Sequence, residues 1–265
     1  MVGTIVFVLI IIGVLYFCMS LFRNRKPKVT EFQLAELLEK CKEAPGQFLE
    51  EYKNTPVFVV GTVKRVSKAF GLEAGLFVVM EAGAKEEGKF VIVAPESKVV
   101  KGQELEVIVY ISEITIDYDR NMIEESISVE GESISAEGYL ERMERIDDGF
   151  PFQRIPPTSE EEKIFLVPAW GFRFVAYKAY KGFGHYYYYK TFIHVSLDGS
   201  LNGRSISFLF DSYLKKSELA PIFAWEDHED NVKIKGKKEE ESTDYYTRVR
   251  HCKILGMQKI SLERR

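Results

Sequence analysis

The hydrophobic pattern divides the chain into an apolar N-terminal run and a longer body in which short apolar stretches alternate with turns. Residues 2–22 contain no charged side chain. A helix of about 21 residues rises about 31 Å, which matches the hydrocarbon thickness of a bilayer. The run therefore predicts one transmembrane helix, and we expect a single-pass membrane protein with the lipid bilayer as a partner.

The basic residues after this run predict which side of the membrane the body occupies. Arg23, Arg25, Lys26 and Lys28 form the flank, and such residues normally stay on the cytoplasmic side. We therefore expect a cytoplasmic body. A cleaved signal peptide would need basic residues before the run and small residues at a cleavage site, and the sequence has neither. The same flank also suits anionic lipid headgroups, which is a second interpretation of its charge.

Beyond the flank, the pattern first indicates helices. Thr30 and Gln33 have the spacing of a capping box, and apolar residues recur at helical spacing over 34–41. A second short helix is predicted over 48–54. The body therefore begins with a pair of short helices.

From Val57 the pattern indicates strands, because β-branched residues become frequent and glycine-bearing turns separate them. The predicted strands are 57–66, 76–80, 89–94 and 104–114. Gly61 lies inside the first of them, and an interior glycine is typical of a bulge or a sharp bend. Several short strands without a long intervening helix predict a small barrel.

Three segments make this part of the chain resemble a known family. They are FLEEYKN at 48–54, VVGTVKRV at 59–66 and GQELEV at 102–107. In this order, after paired helices, they resemble the OB-fold family called tRNA-anticodon-like, over residues 31–116. The resemblance implies a five-stranded barrel. It does not imply tRNA binding, because members of that family occur in anchored and exported proteins of unknown role.

The predicted fold class is mainly β, with an N-terminal transmembrane helix, an OB-like five-stranded barrel and a second β-rich domain. The glycine and the alternation at 136–143 are similar to those at 59–66, which leaves open that the second domain is also OB-like. The predicted domains are 1–28, the anchor and flank; 29–118, the short helices and barrel; 119–163, an acidic linker or the start of the second domain; and 164–265, the second domain.

The second domain is predicted from further β-rich segments. These are 172–180, 185–195, 205–210, 232–237 and 245–258. A short helix is expected between the third and fourth, capped by Asp211 or Ser212 and stopped by Pro221.

The charge balance bears on possible partners. Four of the 36 basic residues lie in the flank, so the body is more acidic than the whole-chain formal charge of −4 indicates. Nucleic-acid binding normally needs a basic face that replaces phosphate counterions. A general nucleic-acid footprint is therefore disfavoured, although a local basic groove remains compatible with the sequence.

The run HYYYYK at 185–190 is the most unusual local feature. Strand alternation would place Tyr187 and Tyr189 on one face. With Arg173, Lys178 and Lys190 they define a candidate ligand face on which single-stranded bases would stack. The alternative is structural, because tyrosine favours strands and covers a sheet face at low entropic cost.

The motifs of common catalytic sites are not found in the sequence. It has no GxSxG elbow, no phosphate-binding GK[ST] loop, and no HExxH or HxH spacing among its four histidines. We therefore expect no catalytic residues, no metal site and no cofactor. The sequence predicts a non-enzymatic binding or scaffolding protein with another protein as partner. The alternatives are single-stranded nucleic-acid binding through the aromatic β face, and a hydrolase whose carboxylates and histidines converge only in the fold.

Overall fold

A computed structural model describes residues 29–52, 55–68, 75–93, 98–118, 124–133, 157–179, 189–198, 203–223, 230–240, 242–243 and 245–258. Within these ranges the protein is mainly β, as the sequence predicts, with three short α-helices and one 3-10 turn. None of the helices in these ranges has the length and apolar character needed to cross a bilayer. The predicted anchor at 2–22 and its basic flank at 23–28 lie outside the described residues.

The first half of the described chain contains two helices and six strands. Its elements are β1 Thr30–Gln33, α1 Leu34–Glu43, α2 Pro45–Glu51, β2 Val57–Lys68, β3 Gly75–Gly83, β4 Glu86–Val93, β5 Glu104–Tyr118 and β6 Glu124–Ser133.

The second half contains six strands and one helix. Its elements are β7 Lys163–Pro168, a 3-10 turn Ala169–Gly171, β8 Phe172–Lys178, β9 Thr191–Ser196, β10 Ser205–Phe210, α3 Lys216–Phe223, β11 Asn231–Lys238 and β12 Tyr246–Gln258.

Strands β2 to β6 close into a ring, which we call the N-terminal strand ring. Neighbours pair in the order β2, β3, β4, β6, β5 and back to β2, and all pairs are antiparallel except β4 with β6. Because β5 returns beside β2 after the β2–β3–β4 meander, the connection is a Greek key. Strand β2 pairs with β5 through its first half and with β3 through its second half, and Thr62 pairs on both sides.

Helix α1 packs against the N-terminal strand ring because four apolar side chains share one of its faces. Leu34, Leu37, Leu38 and Cys41 are all buried, at the spacing expected of an amphipathic helix. Gly61 makes room for this helix, since a Cβ there would lie 3.2 Å from the Cβ of Leu34. The glycine in β2 therefore serves close packing of helix on strand.

Strands β7 to β12, the C-terminal strand set, repeat this arrangement with one interruption. They pair in the order β8, β9, β10, β12, β11 and β7, and the pairs are antiparallel except β10 with β12. Only the 3-10 turn Ala169–Gly171 separates β7 from β8 in the chain. Strands β7 and β8 together thus take the place of β2. Strand β7 pairs with β11, and β8 pairs with β9.

The two halves are joined where β5 pairs with β8. Residues 113–117 of β5 pair antiparallel with 174–178 of β8, so the sheet continues from one half to the other. At this boundary the Lys178 ammonium forms an ion pair with the Glu113 carboxylate, and both side chains are largely buried. The boundaries of the predicted domains stay a prediction.

Several details differ from the sequence-based expectations. Thr30 belongs to strand β1, and Gln33 precedes α1 without a side-chain cap, so the capping box is wrong although the helix is confirmed. Helix α3 begins at Lys216, so Asp211 and Ser212 lie before its N-cap position and the predicted cap is wrong. The helix also continues past Pro221 to Phe223, so the predicted stop is wrong. Residues 124–133, in a segment expected to be linker or domain start, form β6 and complete the ring.

Candidate ligand face on the C-terminal strand set

The basic residues of the predicted ligand face on β8 make contacts of their own. Arg173 is partly buried, and its guanidinium donates hydrogen bonds to the carbonyl oxygens of Trp170 and Phe172 at 3.3 and 3.2 Å. Lys178 lies at the end of β8 with its side chain 10% exposed and ion-paired to Glu113. Lys178 therefore forms an ion pair between the two halves.

The remaining predicted residues lie before β9. Tyr189 and Lys190 precede this strand, which begins at Thr191, and Tyr187 lies outside the described residues. The Lys190 ammonium lies 2.7 Å from a Glu50 carboxylate oxygen and 4.9 Å from the centre of the Tyr213 aromatic ring. The Lys178 amide donates to the Lys190 carbonyl at 2.9 Å. Lys178 and Lys190 are thus joined by a backbone hydrogen bond, while their ammonium groups contact different carboxylates.

A row of aromatic side chains crosses β8 and β9 beside these positions. The Phe174 centroid lies 5.1 Å from that of His194 and 5.6 Å from that of Phe192, and Phe192 lies 5.7 Å from Tyr189. The interplanar angles are 15°, 31° and 32° in the same order. We call these four residues, all partly buried, the aromatic row.

Strand alternation explains why the aromatic row forms on one face. Phe192 and His194 alternate in β9 with the buried Thr191, Ile193 and Val195. Side chains two residues apart in a strand share a face, and paired residues on neighbouring strands lie side by side. Phe174 of β8 pairs with His194, which brings the row together on the face away from the core.

The aromatic row ends in a group of polar side chains. The Nδ1 of His194 lies 3.4 Å from the Ser207 hydroxyl oxygen, and that hydroxyl donates to the Tyr246 oxygen at 3.1 Å. The Nε of Arg248 donates to the same oxygen at 3.1 Å, and its guanidinium lies 5.2 Å from the centre of the Tyr246 aromatic ring. The row therefore has a cation at one end.

The surroundings of His194 favour the neutral form of its imidazole. Burial lowers the pKa of His194, and the nearby positive charge of Arg173 lowers it further. A neutral imidazole stacks among phenyl rings without the cost of desolvating a charge. Chemically, the row offers a strip of aromatic surface that carries a hydrogen-bonding and cationic end.

Other side chains with reactive chemistry are arranged differently. His251 lies 2.9 Å from the Asp211 carboxylate, but no group of three metal-ligating residues occurs in the described ranges. Burial raises the pKa of the Cys252 thiol well above its usual range. A reactive cysteine needs a lowered pKa, so this thiol is unsuited to nucleophilic chemistry.

Sequence reasoning missed Phe174, Phe192 and His194 because it concentrated on the tyrosine run. The available signal was the alternation of Phe192 and His194 with buried residues in β9, whereas β8 shows no such alternation around Phe174. Phe174 and Phe192 are 18 residues apart in the chain. Only the strand pairing joins them. Searches of family models, curated proteins and solved structures found nothing that matches this chain.

Proposed function

We propose that this protein is a non-enzymatic binding or scaffolding protein, held at the cytoplasmic face of a membrane by its N-terminal helix, and that its aromatic row binds a segment of another protein. The observation that carries the proposal is the row itself. Aromatic and arginine side chains are enriched where protein interfaces gain most of their binding energy. The row combines three such aromatic residues with Arg248 at its polar end.

The strand arrangement supports placing the ligand here. A closed, five-stranded Greek-key ring is the architecture of an OB fold, and OB folds bind ligands across their second and third strands. We infer that the N-terminal strand ring is such a barrel and that the C-terminal strand set is a second one, with the β7–β8 pair as its first strand. The second and third strands of that set are β9 and β10, and the aromatic row reaches β9.

The packing of the aromatic side chains favours a protein segment over a nucleic acid. The Phe174 ring is stacked on the His194 ring at a centroid separation of 5.1 Å, and it is tilted by 31° to the Phe192 ring at 5.6 Å. Stacking therefore covers one face of the Phe174 ring and one face of the His194 ring. A nucleobase needs an open aromatic face for stacking, whereas an apolar side chain packs well against ring edges.

The test compares partners recovered from solubilised membranes by three forms of the full-length protein after cross-linking. They are the native chain, a Phe174→Ala/Phe192→Ala variant, and a control with Val100→Ala/Ile108→Ala on exposed positions of the N-terminal half. If one phenylalanine contributes about 2 kcal/mol, the row variant binds at least about 30-fold more weakly. The control retains the partner. A partner retained equally by the row variant, or no reproducible partner, contradicts the proposal.

The alternative function is binding of single-stranded nucleic acid, which Arg248 over the Tyr246 aromatic ring favours locally. It predicts that the native chain binds labelled oligonucleotides with an affinity that falls steeply with salt. It also requires that Tyr187→Ala or Tyr189→Ala reduces this binding. Salt-dependent binding lost in these variants would replace the protein-partner proposal.

A further inference from the structure

The C-terminal strand set has a second surface that combines lysines with exposed aliphatic side chains. It is formed by β7, β11 and β12, which pair in the order β7, β11, β12. We call it the lysine–aliphatic face, and its members are Ile164, Leu166, Lys233, Lys235, Lys237, Lys253 and Leu255. None of these residues belongs to the aromatic row.

Strand alternation places the lysines of β11 on one side of the sheet. Lys233, Lys235 and Lys237 alternate with the buried Val232, Ile234 and Gly236. The lysines therefore point away from the core, because successive side chains of a strand lie on opposite faces.

The register brings the aliphatic side chains onto the same side. Leu166 of β7 pairs with Lys233, Ile164 pairs with Lys235, and Lys253 of β12 also pairs with Lys235. Directly paired residues share a face of the sheet. The face thus has aliphatic side chains on one edge strand and lysines on the two strands beside it.

The aliphatic side chains of this face are unusually exposed. Ile164 is 59% exposed, Leu166 is 50% exposed, and Leu255, beside the irregularity in β12, is 45% exposed. They account for three of the seven large hydrophobic side chains exposed in the described part of the chain. Neighbouring exposed apolar side chains of this kind mark interaction surfaces more often than isolated ones do.

The charge of the face is positive. One acidic neighbour is Glu162, whose carboxylate forms an ion pair with Lys235 and whose pKa is lowered mainly by that contact and further by the charge of Lys237. In the described part of the chain Lys233 and Lys253 make no ion pair. A cavity at this face is lined by Lys235, Lys253 and Leu255 together with Glu162, Asp211 and Glu218. The four lysines therefore outnumber the three neighbouring carboxylates, and the Asp211 carboxylate also contacts His251.

We propose that the lysine–aliphatic face docks onto the surface of an anionic lipid bilayer. Lysine attracts anionic headgroups, and its long stem lies along apolar surface while its ammonium stays in water. The aliphatic side chains beside these lysines enter the boundary between headgroups and acyl chains. This contact is separate from the predicted N-terminal helix, and it orients the strand set on the membrane.

The composition of the face favours lipid over macromolecular partners. Lysine is depleted in the cores of protein interfaces, yet here it is the most frequent residue. Nucleic-acid surfaces bind arginine and aromatic side chains but offer exposed isoleucine and leucine little to bury against. An anionic bilayer complements both halves of the face.

The experiment measures lysine acetylation by an uncharged reagent, with mass spectrometry, on the unmodified full-length protein. The protein is reconstituted in vesicles of phosphatidylcholine alone or with about a third phosphatidylserine, a choice of composition that raises the surface charge. We expect Lys233 and Lys253 to be modified severalfold more slowly in the anionic vesicles. The exposed Lys101 and Lys215 serve as internal controls and change little. Equal modification of all four lysines in both vesicles overturns the proposal.

Two variants separate lipid docking from simple charge attraction. Ile164→Ser/Leu166→Ser removes the aliphatic contribution and should abolish most of the protection of Lys233 and Lys253, whereas Ile108→Ser on β5 should leave it intact. Raising the salt concentration should reduce protection in the native chain, because it screens headgroup charge. Protection that survives the double substitution, or that a soluble oligonucleotide reproduces with vesicles absent, also overturns the proposal.

Discussion

The buried ion pair of Arg250 with Glu239 gives the sharpest test of how the C-terminal strand set is held together. The Nε of Arg250 lies 3.0 Å from a Glu239 carboxylate oxygen, and the side chains are 10% and 3% exposed. Arg250 lies in β12, while Glu239 follows β11 and bridges Thr158. The ion pair thus lies within the β11–β12 hairpin, and the backbone of Glu239 also bridges the segment before β7. We expect Arg250→Met to leave the Glu239 carboxylate buried without its cation.

The expected magnitude follows from the burial of both groups. At an effective dielectric constant of about 20, charges 3.0 Å apart attract by about 5 kcal/mol. Desolvation offsets most of that attraction while the pair is intact, but an unpaired buried charge still costs about 3–5 kcal/mol. Arg250→Met should therefore lower the free energy of unfolding by about 4 kcal/mol. The double substitution Arg250→Met/Glu239→Leu should recover most of this loss.

The measurement is a double-mutant cycle by denaturant unfolding of the full-length protein in detergent micelles, followed by circular dichroism. Lys40→Met provides the matched control, because Lys40 pairs with Glu36 on α1 while both side chains are about half exposed. An exposed pair of this kind contributes about 0.5 kcal/mol or less. A loss below about 1 kcal/mol for Arg250→Met, or no recovery in the double variant, would refute the reasoning.

Two further predictions concern the close backbone packing and the aromatic row. Gly171→Ala should lower the free energy of unfolding by about 2–3 kcal/mol, because its Cβ would overlap the Ser196 carbonyl oxygen. Gly61→Ala should lower it less, because the Met80 methyl group 2.9 Å away can move. Thermal denaturation of both variants measures the difference, and equal losses of stability contradict the prediction. The lowered pKa of His194 means that the unfolded chain binds protons more readily, so stability should fall as pH drops below about 6.5 and level off below the folded pKa. Denaturation at pH 7.5 and 5.0 should show a smaller drop for His194→Phe than for the native chain.

The sequence predicted the first half of the described fold well because its strands carry dense β-branched patterns. Strands β2, β3, β4 and β5 correspond to the predicted segments 57–66, 76–80, 89–94 and 104–114. Strands β2, β3 and β5 extend a few residues beyond the predicted ends, and β4 begins three residues earlier. Strand β6 escaped prediction because seven of its ten residues are glutamate or serine and its large apolar residues are Ile127 and Val129. It lies between β4 and β5, so long-range pairing determines a strand that its own composition does not indicate.

The candidate site was harder to predict because its members meet only through strand pairing. The tyrosine run directed attention to Tyr189, which does border the aromatic row. Lys178 looked like a surface cation, yet it faces Glu113 across the boundary between β5 and β8. An isolated strand pattern cannot indicate which neighbour will supply a counter-charge, since that neighbour lies 65 residues away in the chain.

Strand pairing on both sides explains why the two proposed surfaces consist of outward-facing side chains. In the described sheet β8, β9, β10, β11 and β12 each pair on both sides, whereas β7 pairs only with β11. Few strand edges are therefore left for a partner to extend, and recognition uses outward-facing side chains. In the C-terminal strand set, Phe174 of β8 and Phe192 of β9 lie on the outer face of the sheet. Lys233 of β11 and Lys253 of β12 also lie on an outer face, on different strands. Because the surfaces share no residue and occupy different strands, docking on a bilayer through the lysines should leave the aromatic row able to bind its partner.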